Sequence, residues 1–176
     1  LIDYRHFDYY NLSVQYEFGF GLSYTTFNLS DVSIAAAAVA GNGTSSSATI
    51  SAHCPSSSTS IPPPGGNAAL WQTLYTVSAV VANTGSTAGS AVPQLYLGLA
   101  QPPNEDVTPV KVLRGFEKVL LQPGESKTVT FPLMRRDLSY WSVEAQEWVI
   151  GEGEIRVYAG FSSRDVRSEM GFSALA

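Results

Sequence analysis

From Thr73 to Phe161 the sequence keeps returning to one pattern: short stretches with every second residue apolar, each cut off by turn-forming residues. In "TLYTVSAVVANTG", Tyr75, Val77, Ala79 and Val81 fall on one face before the chain stops at Asn83, Thr84 and Gly85. A period of two describes a half-buried strand, whereas a helix needs apolar residues every three or four positions. "SKTVTFPL" repeats the pattern, with Lys127, Val129, Phe131 and Leu133 opposite Ser126, Thr128, Thr130 and Pro132. "VLRGFEKVLL" precedes it across "QPGE", a turn that uses Pro123 and Gly124. "AVPQLYLG" also reads as a strand, with Pro93 predicting an edge position or a bulge. "YWSV" and "EWVI" predict a hairpin around 144–146, and "EIRVYAGF" puts Ile155, Val157, Ala159 and Phe161 on one side.

With "TFNLSDVSI" near the start, these stretches make about seven or eight strands, spaced by about 8 to 12 residues, as in an antiparallel β-sandwich. An α/β architecture would need helices of about 10 to 15 residues between strands, and no stretch fits one. The fold class predicted is therefore all-β. Its inward residues include Val77, Val81, Leu95, Phe131, Trp141, Val157 and Ala159.

Two segments stand outside that pattern. Residues 1–25 are aromatic and irregular, and predict a connecting arm ahead of a sandwich spanning 26–176. Their opening, "LIDYRHFDYY", has no charged-then-apolar leader and reads as the inside of a longer polypeptide. Residues 41–70 are rich in Ser, Pro and Gly, and are either a surface loop or a strap across a neighbouring surface.

At 176 residues the chain has the size of one domain, and 44% hydrophobic residues supply a core. Charged residues are only 14%, against about 25% in ordinary globular proteins, and the net charge is −5. That balance argues against a nucleic-acid partner, which needs a basic face. No run approaches the ~18 apolar residues of a membrane span. Sequons at Asn11, Asn28 and Asn42 favour a secreted, extracellular glycoprotein over unused acceptor sites. Cys54 is the one cysteine, which leaves a partner elsewhere or a free thiol.

Chemistry-bearing motifs are missing. G-x-S-x-G, the P-loop, H-E-x-x-H and C-x-x-C do not occur, and two His and one Cys leave little for a nucleophile–base pair or a metal. A glycosidase needs two carboxylates about 5 to 10 Å apart, one with a raised pKa. The carboxylates here, among them Asp3, Asp8, Asp106, Asp137 and Asp165, fall at strand ends and turns, where Asp ties down the backbone. In "RRDLSYW" Asp137 takes that part ahead of Trp141. No residue is assigned a catalytic, substrate-binding or metal role, no cofactor is expected, and the chain alone is expected to be inactive.

"DYRHFD", "YEFGFGLSYTTF", "VANTGSTAGSAVPQLYLG", "LRGFEKVLLQPGESKTVTFPL", "RRDLSYW" and "VYAGFSSRD", in this order, resemble the C-terminal part of fungal glycoside hydrolase family 3 β-glucosidases. The likeness covers nearly everything except 41–70. It implies a fibronectin type III-like (immunoglobulin-like) sandwich, preceded in the whole enzyme by a (β/α)8 barrel with an Asp nucleophile and an α/β domain with a Glu acid/base. Neither catalytic motif has a match in this chain. The resemblance implies retaining hydrolysis of cellobiose and short β-glucans from the non-reducing end. β-Xylosidases share the domain and remain an alternative parent, although "FGFGLSYTTF" looks more like the glucosidases.

The resemblance also gives "YEFGFGLSYTTF" a role. Tyr16, Phe18, Phe20 and Tyr24 are expected to anchor the arm on the catalytic domains, with Gly19 and Gly21 allowing close approach. The competing reading has these rings filling the sandwich's own bottom layer. A different function, a carbohydrate- or lignin-binding module, would instead display flat aromatics such as Tyr9, Tyr10 and Trp71.

Overall fold

The computed structural model describes residues 1–37, 50–55, 66–100 and 108–175. A short helix, α1 (Tyr4–Tyr9), comes first, followed by β1 (Phe27–Ala36) and a 3-10 turn at Ala68–Trp71. Then come β2 (Thr73–Asn83), β3 (Gly89–Ala91), β4 (Gln94–Gly98), β5 (Val112–Phe116), β6 (Val119–Leu121) and β7 (Ser126–Met134). A single helical turn, α2 (Arg135–Leu138), leads to β8 (Ser139–Ser142), β9 (Glu147–Ile150), β10 (Glu154–Gly160) and β11 (Val166–Ser173).

The strands form two main antiparallel sheets, ordered β1-β2-β7 and β11-β10-β4-β5. The sequence alternation sets which face goes inward. Val77, Ala79 and Val81 of β2 and Val129, Phe131 and Leu133 of β7 meet Leu95 and Leu97 of β4 and Ile155, Val157 and Ala159 of β10 in one core. Each fully buried aliphatic side chain contributes about 1.5 to 3 kcal/mol, so these two rows of side chains hold the sheets together. The all-β sandwich expected from the alternation is the observed fold.

Three expectations need correction. Trp141 was expected inside, but 43% of it is exposed. Strands β8 and β9 form their own two-stranded ladder, and only its base pair, Ser139 and Ile150, reaches the core. Trp141 lies directly opposite Trp148, and the two indoles pack edge to face, 6.0 Å apart and at 74°. Of the two readings of Pro93 the edge position fails, although the β4–β5 ladder does shift register just beyond it, between Leu95 and Tyr96. Pro93 falls between β3 and β4, and β4 has neighbours on both sides and is buried throughout. Arm residues 1–25, expected to be irregular, contain α1, capped by Asp3 accepting from the Arg5 backbone N–H.

Asp137 does tie down the backbone, although within α2 rather than an open turn: its Oδ2 accepts from Met134 N at 2.9 Å. Within 41–70, residues 51–53 lie against this chain's own β9 and α2. Ile150 N donates to Ala52 O at 3.0 Å, extending the β8–β9 ladder by a bridge at His53. The buried Arg135 guanidinium donates to Ser51 O at 3.0 Å and His53 O at 3.4 Å.

Candidate functional site

Strand β4 shows what the arm does. Its Leu95 and Leu97 point into the core, so Gln94 and Tyr96 point the other way, yet Tyr96 is completely buried. The arm provides the cover. Tyr4 of α1 packs edge-on to Tyr96, 6.1 Å between centroids, and its hydroxyl accepts from Leu113 N at 2.8 Å. Phe18 stacks flat on the outer side of Tyr4, 4.3 Å away and 17° from parallel. Burial pushes both tyrosine hydroxyls above their ordinary pKa, and Tyr96 is also raised by Tyr4 and Asp8.

Polar contacts hold this layer down. The Asp8 carboxylate takes Arg164 Nε at 3.0 Å and Lys111 Nζ at 3.2 Å, with only 6% of its side chain exposed. Arg164 also donates to Leu12 O at 2.7 Å. Ser163 N donates to Phe18 O at 2.8 Å, and Ser162 Oγ donates to Glu17 Oε1 at 2.9 Å. Gln94 Nε2 donates to Gly19 O at 2.9 Å and Phe161 O at 2.8 Å. Gly19, at φ 80°, leaves no room for a Cβ beside the Gln94 amide. The close approach that Gly19 allows is therefore to this sandwich, while Gly21 faces open space.

On either side of Phe18 the arm turns side chains outward. Tyr16, Phe20, Leu22 and Tyr24 are exposed, Leu22 by 91% and Tyr24 completely. Phe18, Phe20 and Leu22 form one wall of an apolar groove of about 400 Å³; Val92, Leu113, Phe116 and Phe161 form much of the rest. Tyr16 leans on Phe20 at 5.3 Å, whereas Tyr24 does not line the groove. The structure thus divides the rings that the sequence grouped. Tyr4 and the inner face of Phe18 complete this chain's own fold, and Tyr16, Phe20 and Tyr24 stay uncovered.

Leu22, Val92, Phe116 and Leu120 also belong to the exposed apolar surface, and sequence reasoning missed them. Phe116 was hidden because "VLRGFEKVLL" reads as one strand. In the structure β5 ends at Phe116 and β6 begins at Val119, which leaves the ring in solvent.

The aromatics of the binding-module alternative do not form a flat strip. Tyr9 and Tyr10 stand at 79° to one another, and Trp71 lies under the Arg136 guanidinium at 4.5 Å. Of the glycosylation candidates, Asn11 and Asn28 are exposed, and Asn42 lies outside the described residues. Cys54 is half-buried with a free thiol, and burial raises its pKa.

Residues 91–163 match the fibronectin type III-like domain family. A probable β-glucosidase G from Neosartorya fischeri is 54% identical over 94% of this chain and 19% of that protein. The crystal structure of a β-D-glucoside glucohydrolase from Trichoderma reesei aligns over 98% of this chain and 22% of its own, with 42% identity and a TM-score of 0.79. A glycoside hydrolase family 3 β-glucosidase from Neurospora crassa aligns over 97% of this chain and 27% of its own, with 33% identity and the same TM-score of 0.79. The chain thus spans about a fifth of the curated relatives it matches, at 19% of the first.

Proposed function

The chain belongs to the fibronectin type III-like domains of glycoside hydrolase family 3 β-glucosidases, and on that premise we propose that it is a non-catalytic docking domain. Its arm and groove bind the catalytic barrel and α/β domains of the same enzyme, whether upstream in one polypeptide or as a separate chain. Those domains carry the Asp nucleophile and Glu acid/base, and hydrolyse cellobiose and short β-glucans with retention. The enzyme is secreted and glycosylated on at least one of Asn11, Asn28 and Asn42.

One observation carries this reading. Phe20, Leu22 and Phe116 line one groove and are exposed on a chain that spans about a fifth of its relatives. Exposed apolar side chains gathered along one groove mark an interaction surface, and a partner that covers them gains about 25 cal/mol per Å². The perpendicular Tyr9 and Tyr10 and the occupied face of Trp71 weigh against a polysaccharide platform.

The test replaces Phe20 and Leu22 with Ser in the full-length enzyme. Neither side chain is in this domain's core, so the sandwich has little reason to weaken by itself. The expected result is a lower Tm for the whole enzyme, with kcat per folded molecule unchanged. An unaltered Tm would overturn the docking reading.

A further inference from the structure

A second groove, of about 320 Å³, opens at the end of β5 and α2, walled by Trp71, Arg114, Phe116, Met134, Arg136 and Asp137. Its charges do not balance. Arg136 is held over the Trp71 ring, and Asp137 spends one carboxylate oxygen on Met134 N. Neither Arg114 nor Arg136 takes part in an ion pair among the described residues. Arg114 Nε is buried with no hydrogen-bond partner there. Burial works first against the charged form of Arg114, with Asp137 opposing that and Arg136 adding to it.

A guanidinium that lines a groove without an ion-pair partner matches a carboxylate, which takes two parallel N–H bonds from such a fork. Phe116 lines this groove and the arm groove alike, so one ring borders both. Most of the length of the relatives, about four-fifths, lies outside this chain.

We propose that this groove is a latch for an Asp or Glu side chain from the catalytic part of the enzyme, whose carboxylate accepts from Arg114 and Arg136. The proposal rests on the docking reading above and adds the chemistry of the contact. The apolar groove supplies attachment, and the latch fixes the register.

The experiment uses the full-length enzyme with the photo-crosslinking residue p-benzoylphenylalanine in place of Met134. Two further variants are Arg114→Gln and the exposed-site Arg136→Gln, which keeps the folded domain even if the first does not. The expected crosslink joins position 134 to a catalytic-part peptide with an Asp or Glu at the contact, and Arg136→Gln cuts its yield at least threefold. Raising NaCl from 0.05 to 1 M should lower the Tm of the parent enzyme more than that of Arg136→Gln. A crosslink to a peptide without Asp or Glu, or a yield and salt response that Arg136→Gln leaves unchanged, would overturn the latch. If the Phe20 and Leu22 variant is destabilised in that case, docking stands without the latch; if it is also unaffected, both readings fall.

Discussion

Arg164 and Asp8, 156 residues apart, meet at 3.0 Å between Nε and Oδ1, which fixes the first helix to the turn after β10. Lys111 closes on the other carboxylate oxygen at 3.2 Å, with 13% of its side chain exposed. Asp8→Ala would leave that largely buried lysine without its anion. The expected loss is about 3 kcal/mol of stability, the low end for breaking a buried pair by removing one partner. Chemical denaturation checks this, and adding Lys111→Met to Asp8→Ala should recover part of the loss. A loss below about 0.5 kcal/mol would class the pair with ordinary surface ion pairs.

Gly19 and Gly21 look alike in "FGFG" but are expected to respond differently to alanine. At Gly19 a Cβ meets the Gln94 amide, and the backbone φ of 80° strains any L side chain. Gln94 cannot move aside without losing its bonds to Gly19 O and Phe161 O. Gly19→Ala should therefore cost about 2 kcal/mol or more, from strain plus a displaced hydrogen-bonded side chain. Gly21→Ala should change stability by less than about 0.5 kcal/mol, as a surface substitution does. Thermal unfolding of the two variants side by side decides it, and equal effects would count against the arm's position on β4.

The contrast between these glycines shows what the sequence could convey. Alternation placed Val77, Val81, Phe131, Val157 and Ala159 in the core, because a strand's two faces are written into neighbouring residues. Trp141 had the same local signature and is exposed, because whether a hairpin lies on the sandwich or stands off it depends on where its base enters the core. The aromatic arm was visible as an anomaly of composition. Its division into a ring that covers Tyr96 and rings that cover nothing depends on the turn at Gly19, a contact 75 residues away in sequence. Arg114 carried no signal, since an unpaired guanidinium becomes apparent only once its neighbours are in place.

Asn83, read from the sequence as a turn former, should prove one of the most sensitive polar residues. It is 1% exposed and uses both ends of its amide. Nδ2 donates to Thr87 O at 2.8 Å and Leu121 O at 3.1 Å, while Oδ1 accepts from Thr25 Oγ1 at 2.7 Å and Gly85 N at 3.0 Å. Asn83→Ala leaves those groups to find water in a closed site, for an expected cost of about 2 to 4 kcal/mol. Asn83→Asp should also destabilise, because two carbonyl oxygens would then face an acceptor-only group. Urea unfolding midpoints of both variants provide the check, and a neutral Asn83→Asp would show that the network is not closed.

Cys54 should react slowly with thiol reagents at neutral pH. Burial raises its pKa above the ordinary thiol value and Arg135 only partly offsets this, so little reactive thiolate forms. The sign follows: the native state holds the proton more tightly than the unfolded state, so this group's contribution to stability falls as pH rises through the unfolded thiol pKa. Iodoacetamide labelling at pH 7.5 should be several-fold slower than in urea, and Cys54→Ser should flatten any loss of stability above about pH 9. Equal labelling rates with and without urea would show the thiol to be open.

Finally, single replacements of Asp or Glu in this chain should leave kcat of the full-length enzyme within about tenfold, or ~1.4 kcal/mol of barrier. Nearly all the carboxylates in regular elements and turns have structural partners. Asp8 is held by Lys111 and Arg164, Asp137 by Met134 N, Glu147 by His53, Glu154 and Glu169 by Arg156, and Asp165 by Arg167. A glycosidic acid needs a carboxyl whose pKa is raised. Asp3 and Glu125 are shifted the other way: desolvation pushes Asp3 up, but the hydrogen bonds and charge of Arg5 together outweigh it, and the Gln122 backbone N–H and Lys127 hold Glu125 down. Asp3, Asp8 and Glu17 share one cavity, but Arg164 lines it too, and each carboxylate already accepts from a neighbour. Glu17→Gln and Asp3→Asn are the most informative replacements, because they remove charge there while leaving the Asp8 clamp intact. Steady-state kinetics on p-nitrophenyl β-glucoside, normalised to folded enzyme, should show kcat nearly unchanged. A loss of several thousandfold in a folded variant would place a catalytic group in this domain.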